Sequence, residues 1–427
     1  VELLVKFYLP VGLALAALVA MPVQAKEGDT FRPFVSMGYF YDSNLYRLVE
    51  AEFNLAPSDL RDDRYSILSA GINVDWKPGR QQIVANATKT WIRYDQNSRL
   101  DFDGDDTQAT WNWRLGNRLS GNLGAAKSTS QSSFEDVGVV NNQVDRERYY
   151  GRAEWEFHPR WRIGGGVEEI DNTNSALTQR SQDFQQQAYD GVLSYRTPKG
   201  GNLRLQVRRI DADFPNPQVL ASVCSFFVFC PPYPFIPSEV TDNSYKQTEY
   251  NLLGDWRVSG KLTLRGQAGW VDRQYESVLK GNFNGFSPVL VPRPDFSGFV
   301  GRVSGDWYAT GKTLLSASLY REPGGAGDIN ASSVLKNGAS VNGVWLVREK
   351  WRMNAKVTYE NRDFKGDPGT LQEQRNDDTV GASLSLSYMP IQAVSVDVGV
   401  SSGRRDSNFS VEEYEFHSVF ANVRADF

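Results

Sequence analysis

The chain has 427 residues, with 46 basic and 51 acidic side chains and a formal net charge of −5. A mean hydropathy of −0.46 excludes a bundle of membrane-spanning helices, which needs repeated apolar runs of about 20 residues. The balanced charge gives no case for a nucleic-acid partner, and 12% aromatics with 37 glycines argue against disorder.

Length alone suggests two or three soluble domains. The pattern along the chain points elsewhere. In residues 1–25, Lys6 leads an apolar stretch from Leu13 to Ala20, and Val23-Gln24-Ala25 is a small-x-small cleavage motif. That is the pattern of a signal peptide cut after Ala25. A membrane anchor fits less well, because the apolar run is short. Residues 26–427 then form one exported domain.

From Phe31 onward, apolar and polar residues alternate. In Lys261 to Arg273, Leu262, Leu264, Gly266, Ala268 and Trp270 share one face, and Lys261, Thr263, Arg265, Gln267 and Arg273 share the other. Period two is the signal of a strand. Strands are expected near 31–41, 64–76, 81–95, 105–115, 119–129, 145–157, 161–171, 184–197 and 202–214. A second series follows near 243–256, 261–275, 295–307, 312–322, 335–347, 351–363, 375–388, 393–403 and 411–427. Short turns such as Lys77-Pro78-Gly79-Arg80 and His158-Pro159-Arg160 alternate with long polar connections.

The expected fold is all-β: a transmembrane antiparallel up-and-down barrel of about 18 strands. Its short turns face the periplasm and its long loops face outside. A soluble sandwich or propeller uses shorter strands than these. Aromatics fall where strands meet short turns, at Trp76, Trp113, Trp155, Tyr195, Trp256, Trp307, Trp345 and Tyr388. They read as a girdle at one membrane interface. Outer-membrane lipid is therefore the first expected partner. The last strand alternates to a terminal Phe427. That ending resembles the C-terminal signal of bacterial outer-membrane barrels and implies the barrel-assembly machinery as a partner.

Parity sends about fifteen basic and ten acidic side chains inward. The lumen-lining candidates are Arg152, Arg162, Arg204, Arg208, Arg265, Arg302, Arg352, Lys356 and Arg424. Such a wall attracts anionic solutes. The plainer alternative is that these charges pair across strands. Cys224 and Cys230 are the only cysteines, and export through an oxidising compartment favours a disulfide between them. Asp101-Phe102-Asp103-Gly104-Asp105-Asp106 resembles an acidic calcium loop without its closing Glu, so a solvated loop is expected, with no metal. Two histidines, His158 and His417, form no catalytic or metal-ligating pattern, so neither an enzyme nor a cofactor is expected.

The most distinctive segment is Phe31-Arg32-Pro33-Phe34-Val35-Ser36-Met37-Gly38-Tyr39-Phe40-Tyr41-Asp42-Ser43-Asn44-Leu45-Tyr46-Arg47-Leu48. This aromatic strand and its Tyr-Asp-x-Asn-Leu-aromatic-Arg-Leu turn resemble the first strand of the EpsL family. Those are outer-membrane barrels of exopolysaccharide biosynthesis operons associated with exosortase systems. The resemblance extends over nearly the whole layout and supplies no catalytic residues. It implies a barrel taking part in exopolysaccharide biosynthesis or export, as a channel for the polymer. Partners would be the exopolysaccharide itself, an anionic one from the lumen tally, and periplasmic and inner-membrane synthesis and export proteins. Three alternatives share the architecture: a general or sugar-specific porin, a non-conducting, lectin-like surface anchor, and an enzyme on a barrel such as a polymer deacetylase or lipase. A TonB-dependent transporter is not expected, since no plug-sized domain precedes the first strand.

Overall fold

The computed structural model describes residues 29–50, 61–216, 243–275, 294–324, 333–365 and 374–427, and the backbone alone of 218–220, 239–241, 277–281 and 288–292. The expected signal peptide, residues 1–25, and the Cys224–Cys230 pair lie outside the described residues.

Nine long strands open the fold: β1 (Phe31–Asp42), β2 (Asp63–Trp76), β3 (Gln82–Tyr94), β4 (Phe102–Leu115), β5 (Leu119–Gln131), β6 (Gln143–His158), β7 (Trp161–Asn174), β8 (Phe184–Arg196) and β9 (Asn202–Asp213). Short strands β10 (Gln218–Leu220) and β11 (Glu239–Thr241) precede β12 (Tyr245–Arg257) and β13 (Leu262–Tyr275). Short strands β14 (Ser277–Gly281) and β15 (Pro288–Pro292) come next. The rest are β16 (Phe296–Thr310), β17 (Thr313–Gly324), β18 (Ser333–Arg348), β19 (Trp351–Lys365), β20 (Asn376–Ile391), β21 (Val394–Ser407) and β22 (Tyr414–Asp426).

The 18 long strands form one antiparallel sheet in which each pairs with its neighbour along the chain. β22 returns to β1, from Phe34↔Asp426 to Asp42↔Ser418, and closes the sheet. A closed barrel has no edge strand, so no row of backbone donors is left facing lipid. Nearly every expected strand forms within a few residues of its predicted limits. β16 and β20 run on to Thr310 and Ile391 at the short turns, β22 starts later, at Tyr414, and the other large differences are extensions at the long-loop end. β4 starts at Phe102 rather than 105, and β21 runs to Ser407 rather than 403. There, outward ion pairs such as Lys89–Asp105 and Lys127–Glu147 carry the sheet beyond its apolar band.

The two longest connections are not plain loops. β10, β11, β14 and β15 form a second four-stranded antiparallel sheet, joined between connections by Glu239↔Lys280, Val240↔Leu279 and Thr241↔Val278. Runs this short carry too few alternations to stand out in a sequence.

The two faces differ as the alternation requires. Aliphatic chains at Leu123, Val167, Leu205, Leu252, Val303, Val357, Val400 and Val419 are exposed on one face. On the other, side chains from alternate strands meet, as only a concave surface allows. Arg152 of β6 reaches Asp190 of β8, and Tyr320 of β17 reaches Glu360 of β19. The polar face is therefore the inner one. Tyr320 crosses β18 by lying flat over Gly338, where a Cβ would come within 2.2 Å of the ring. Gly338→Ala is expected to lift the ring off the wall and break its bond to Glu360. The cost should be about 1–3 kcal/mol, read as a lower urea midpoint for the folded barrel in micelles.

Candidate functional site

The candidate site is the inner wall and its two mouths. At the short-turn ends, Trp76, Trp155, Trp256, Trp307 and Trp345 are outward and exposed, and Trp113, Tyr195 and Tyr388 are partly covered. Ring contacts with the next strand account for part of the cover: Trp161–Tyr195 at 4.8 Å and Trp351–Tyr388 at 4.5 Å. A second outward row, Tyr250, Trp270 and Phe299, lies on facing positions of β12, β13 and β16 nearer the long loops. From Tyr250 to Trp256, or from Phe299 to Trp307, is roughly 20–26 Å along the strand at ~3.3 Å per residue. Such a spacing brackets an apolar band of membrane height once strand tilt is allowed for. The second row escapes a sequence reading because no turn marks it.

Inside, most of the candidate cations are paired. Arg152 meets Asp190 at 2.5 Å, Arg162 meets Glu156 at 3.0 Å, and Arg208 meets Glu168 at 3.5 Å. Arg265 meets Asp306 at 2.5 Å, Arg302 meets Glu322 at 2.8 Å, and Arg424 meets Asp426 at 2.7 Å. Arg204, Arg352 and Lys356 have no hydrogen-bond or ion-pair partner among the described residues, and all three are exposed within the lumen. The Arg265 and Arg302 side chains keep 55% and 44% of their surface accessible, so the lumen is not packed solid at their level. Gly166 of β7 makes the Arg152–Asp190 contact possible. A Cβ there would stand 3.1 Å from the Asp190 carboxylate and 3.2 Å from the Arg152 guanidinium. Gly166→Val is expected to separate the pair. Leaving the buried Asp190 carboxylate without its partner should lower the unfolding midpoint, and Gly191→Ala, where an added Cβ meets nothing within 4 Å, should not.

The lining mixes two kinds of group round the ring. Arginine–carboxylate pairs stand on β6 to β9, on β13, β16 and β17, and on β22. Small hydroxyls stand among them: β20 and β21 present Ser383, Ser385, Ser387 and Ser401, and β17 and β18 present Ser318 and Ser340 at 2.8 Å from each other.

At the long-loop end, the Tyr-Asp-x-Asn-Leu-Tyr-Arg-Leu segment builds a specific turn. Asp42 accepts two bonds from the Arg47 guanidinium, at 2.8 and 2.9 Å, and one from the Asn44 backbone N–H at 2.9 Å. The Asn44 amide donates to the Leu48 and Glu415 carbonyls, and its oxygen accepts the Leu48 N–H. Arg47 takes a left-handed φ of 58°. The turn drives Leu45 and Tyr46 inward, where they bury with Leu100 against the inward Tyr65 and Tyr94 and against Phe134. The Tyr46 hydroxyl donates to Asn97, whose amide donates to buried Asp63.

Phe134 belongs to one helical turn, Phe134–Val137, in the connection between β5 and β6. The next residue, Glu135, accepts a bond from Arg405 of β21 at its backbone oxygen, across six strand positions of the ring. The connection therefore crosses the outer mouth and covers one side of it. These segments cover part of the lumen at its outer mouth. Most of 215–242 and 276–294 lies outside the described residues.

The acidic run 101–106 is not the solvated loop expected from sequence. From Phe102 it is strand, and alternation splits its carboxylates between faces. Asp103 and Asp105 point outward to Arg93 and Lys89, and Asp106 points inward to Asn86. Carboxylates on opposite faces cannot converge on one cation, and the described residues hold no metal-binding cluster. His158 ends β6 at a short turn and His417 lies outward near the long loops, at opposite ends of the barrel.

A family model described as "Putative beta-barrel porin 2" matches residues 293–427, from the approach to β16 to the end of the chain. A search of curated proteins finds no match. Among solved structures, the chain is similar to Pseudomonas aeruginosa OpdK with vanillate. The TM-score is 0.45 at 11% identity, over 93% of this chain and 99% of that one. It is also similar to the closed form of the ferric-catecholate import receptor Fiu from E. coli K12, with TM-score 0.47 at 9% identity over 95% and 82% of the two chains. A third is Pseudomonas aeruginosa OpdL, with TM-score 0.42 at 10% identity over 93% and 98%. Likenesses this distant say nothing about solute. The architecture rests on the strand pairing itself, which is that of an outer-membrane β-barrel of porin-like fold.

Proposed function

We propose that this barrel is a channel through which an exopolysaccharide crosses the outer membrane. The observation that carries the reading is the inner wall. It is polar along its length, partly accessible to water, and built from arginine–carboxylate pairs interspersed with small hydroxyls. A polysaccharide offers many hydroxyls and no apolar bulk, so it needs repeated weak polar contacts rather than one tight pocket. Conduction requires contacts weak enough to release. The EpsL-like turn supports the same reading, since its residues fix the inward cover of the outer mouth. Synthesis and export proteins of the periplasm and inner membrane would deliver the polymer.

Cells lacking the barrel are expected to lose surface polymer and retain it in the periplasm. A barrel with Arg204, Arg352 and Lys356 all changed to Ala should restore only part of the surface polymer. Full surface polymer in the deletion strain would overturn the proposal. A general porin is the second reading, favoured by the family match over 293–427. It predicts small-solute permeability that is indifferent to the polymer.

A further inference from the structure

We propose that the short-turn end of the lumen holds a subsite for an acidic sugar residue, of the uronic-acid class. The inference rests on the reading of the lumen as a saccharide path and names the unit it takes. The site is a cavity of about 350 Å³ on the inner wall of β3 to β6, open to the lumen. Strand register assembles it from two adjacent rows. One row runs Gln82↔Asn112↔Asn122↔Arg152, and the other Arg114↔Ser120↔Glu154. Arg80, in the turn after β2, closes the end of the cavity.

The charges decide the ligand class. The Arg152 charge is taken by Asp190. Arg80 donates to the Gly116 carbonyl and to Asn117, both at 2.9 Å, and faces no carboxylate. Arg114 and Glu154 have no side-chain partner among the described residues. Two guanidiniums without an acid thus share the cavity with one carboxylate, three side-chain amides and one hydroxyl. A simple anion would suit the arginines but be repelled by Glu154. A neutral sugar would suit Glu154 and the amides but leave both guanidiniums uncompensated. A sugar carrying a carboxylate satisfies both sets. Its acid group takes the Arg114 and Arg80 donors, and its hydroxyls donate to Glu154 and to the amide oxygens. The volume lies at the small end of the range for ligand sites, enough for a short stretch of a saccharide chain that continues into the lumen.

The test is equilibrium binding to the folded barrel in micelles, which needs no conduction, with trigalacturonate, maltotriose and acetate as probes. Trigalacturonate should bind and the other two should not. Arg114→Gln should weaken trigalacturonate binding by about 10-fold or more, the loss expected for a charge-assisted pair. Arg114→Lys should recover part of it. Glu154→Gln should admit acetate, a change that a merely structural role for Glu154 would not produce. Unheated gel mobility shows that each variant is folded. Equal binding of maltotriose, equal binding of acetate, or no effect of Arg114→Gln would each overturn the subsite. Uronate binding that depends on Arg114, in a barrel whose loss leaves surface polymer intact, would instead remove the export reading and leave the subsite standing.

Discussion

Val400→Arg is expected to destabilise the folded barrel by about 2–4 kcal/mol, whereas Ser401→Arg, one residue along, should cost little. Val400 lies outward between Leu384 and Val419, and all three are exposed on the apolar face. A guanidinium there sits among acyl chains with no partner. Ser401 lies inward between Ser383 and Ser418, in a wall of small hydroxyls beside water. An arginine added there should be solvated and should shift ion selectivity toward anions. The pair is read from urea titrations followed by gel mobility, with bilayer reversal potentials for Ser401→Arg. Equal losses from both variants would mean that the two faces are assigned wrongly.

Tyr46→Ala should open the outer mouth. The ring is 2% exposed, holds Asn97 through its hydroxyl, and packs edge-on against Phe134 at 4.8 Å. Its removal should cost about 3–5 kcal/mol of local packing. Little of that is expected in the global unfolding midpoint, because the cluster joins loops over the barrel and can loosen by itself. The readout is single-channel current, with a higher mean conductance and more open-state noise than the wild type. Asn44→Ala, which deletes three hydrogen bonds of the turn, should change the current in the same direction by less. Currents identical to wild type in both would show that the inward turn does not narrow the path.

The fold was largely legible because a barrel writes itself in short range. Alternation in β13 or β21 reveals strands, and Pro78-Gly79 or Gly311 reveals turns without knowledge of the partner strand. What was missed depends on register or on distance. The inward arginines lie on the polar rows that parity assigns. Which of them are neutralised depends on register between neighbouring strands, as for Arg265 and Asp306, and for Arg152 on Gly166 letting the side chain cross to the next strand but one. The acidic run 101–106 looked like one cluster because sequence proximity hides the alternation of faces. The amide row Gln82–Asn112–Asn122 is invisible until three strands are aligned. The Asp42–Arg47 turn was conspicuous as a motif, yet its work, folding Tyr46 over the mouth, depends on Phe134 and Arg405 from distant connections.

The most direct test of the central claim is single-channel conductance of the purified barrel in a planar bilayer, with and without the producing cell's own exopolysaccharide. A water-accessible, saccharide-passing lumen predicts a steady conductance that the polymer blocks reversibly. A silent barrel would contradict an open path, and a conductance the polymer leaves unchanged would contradict passage of that polymer.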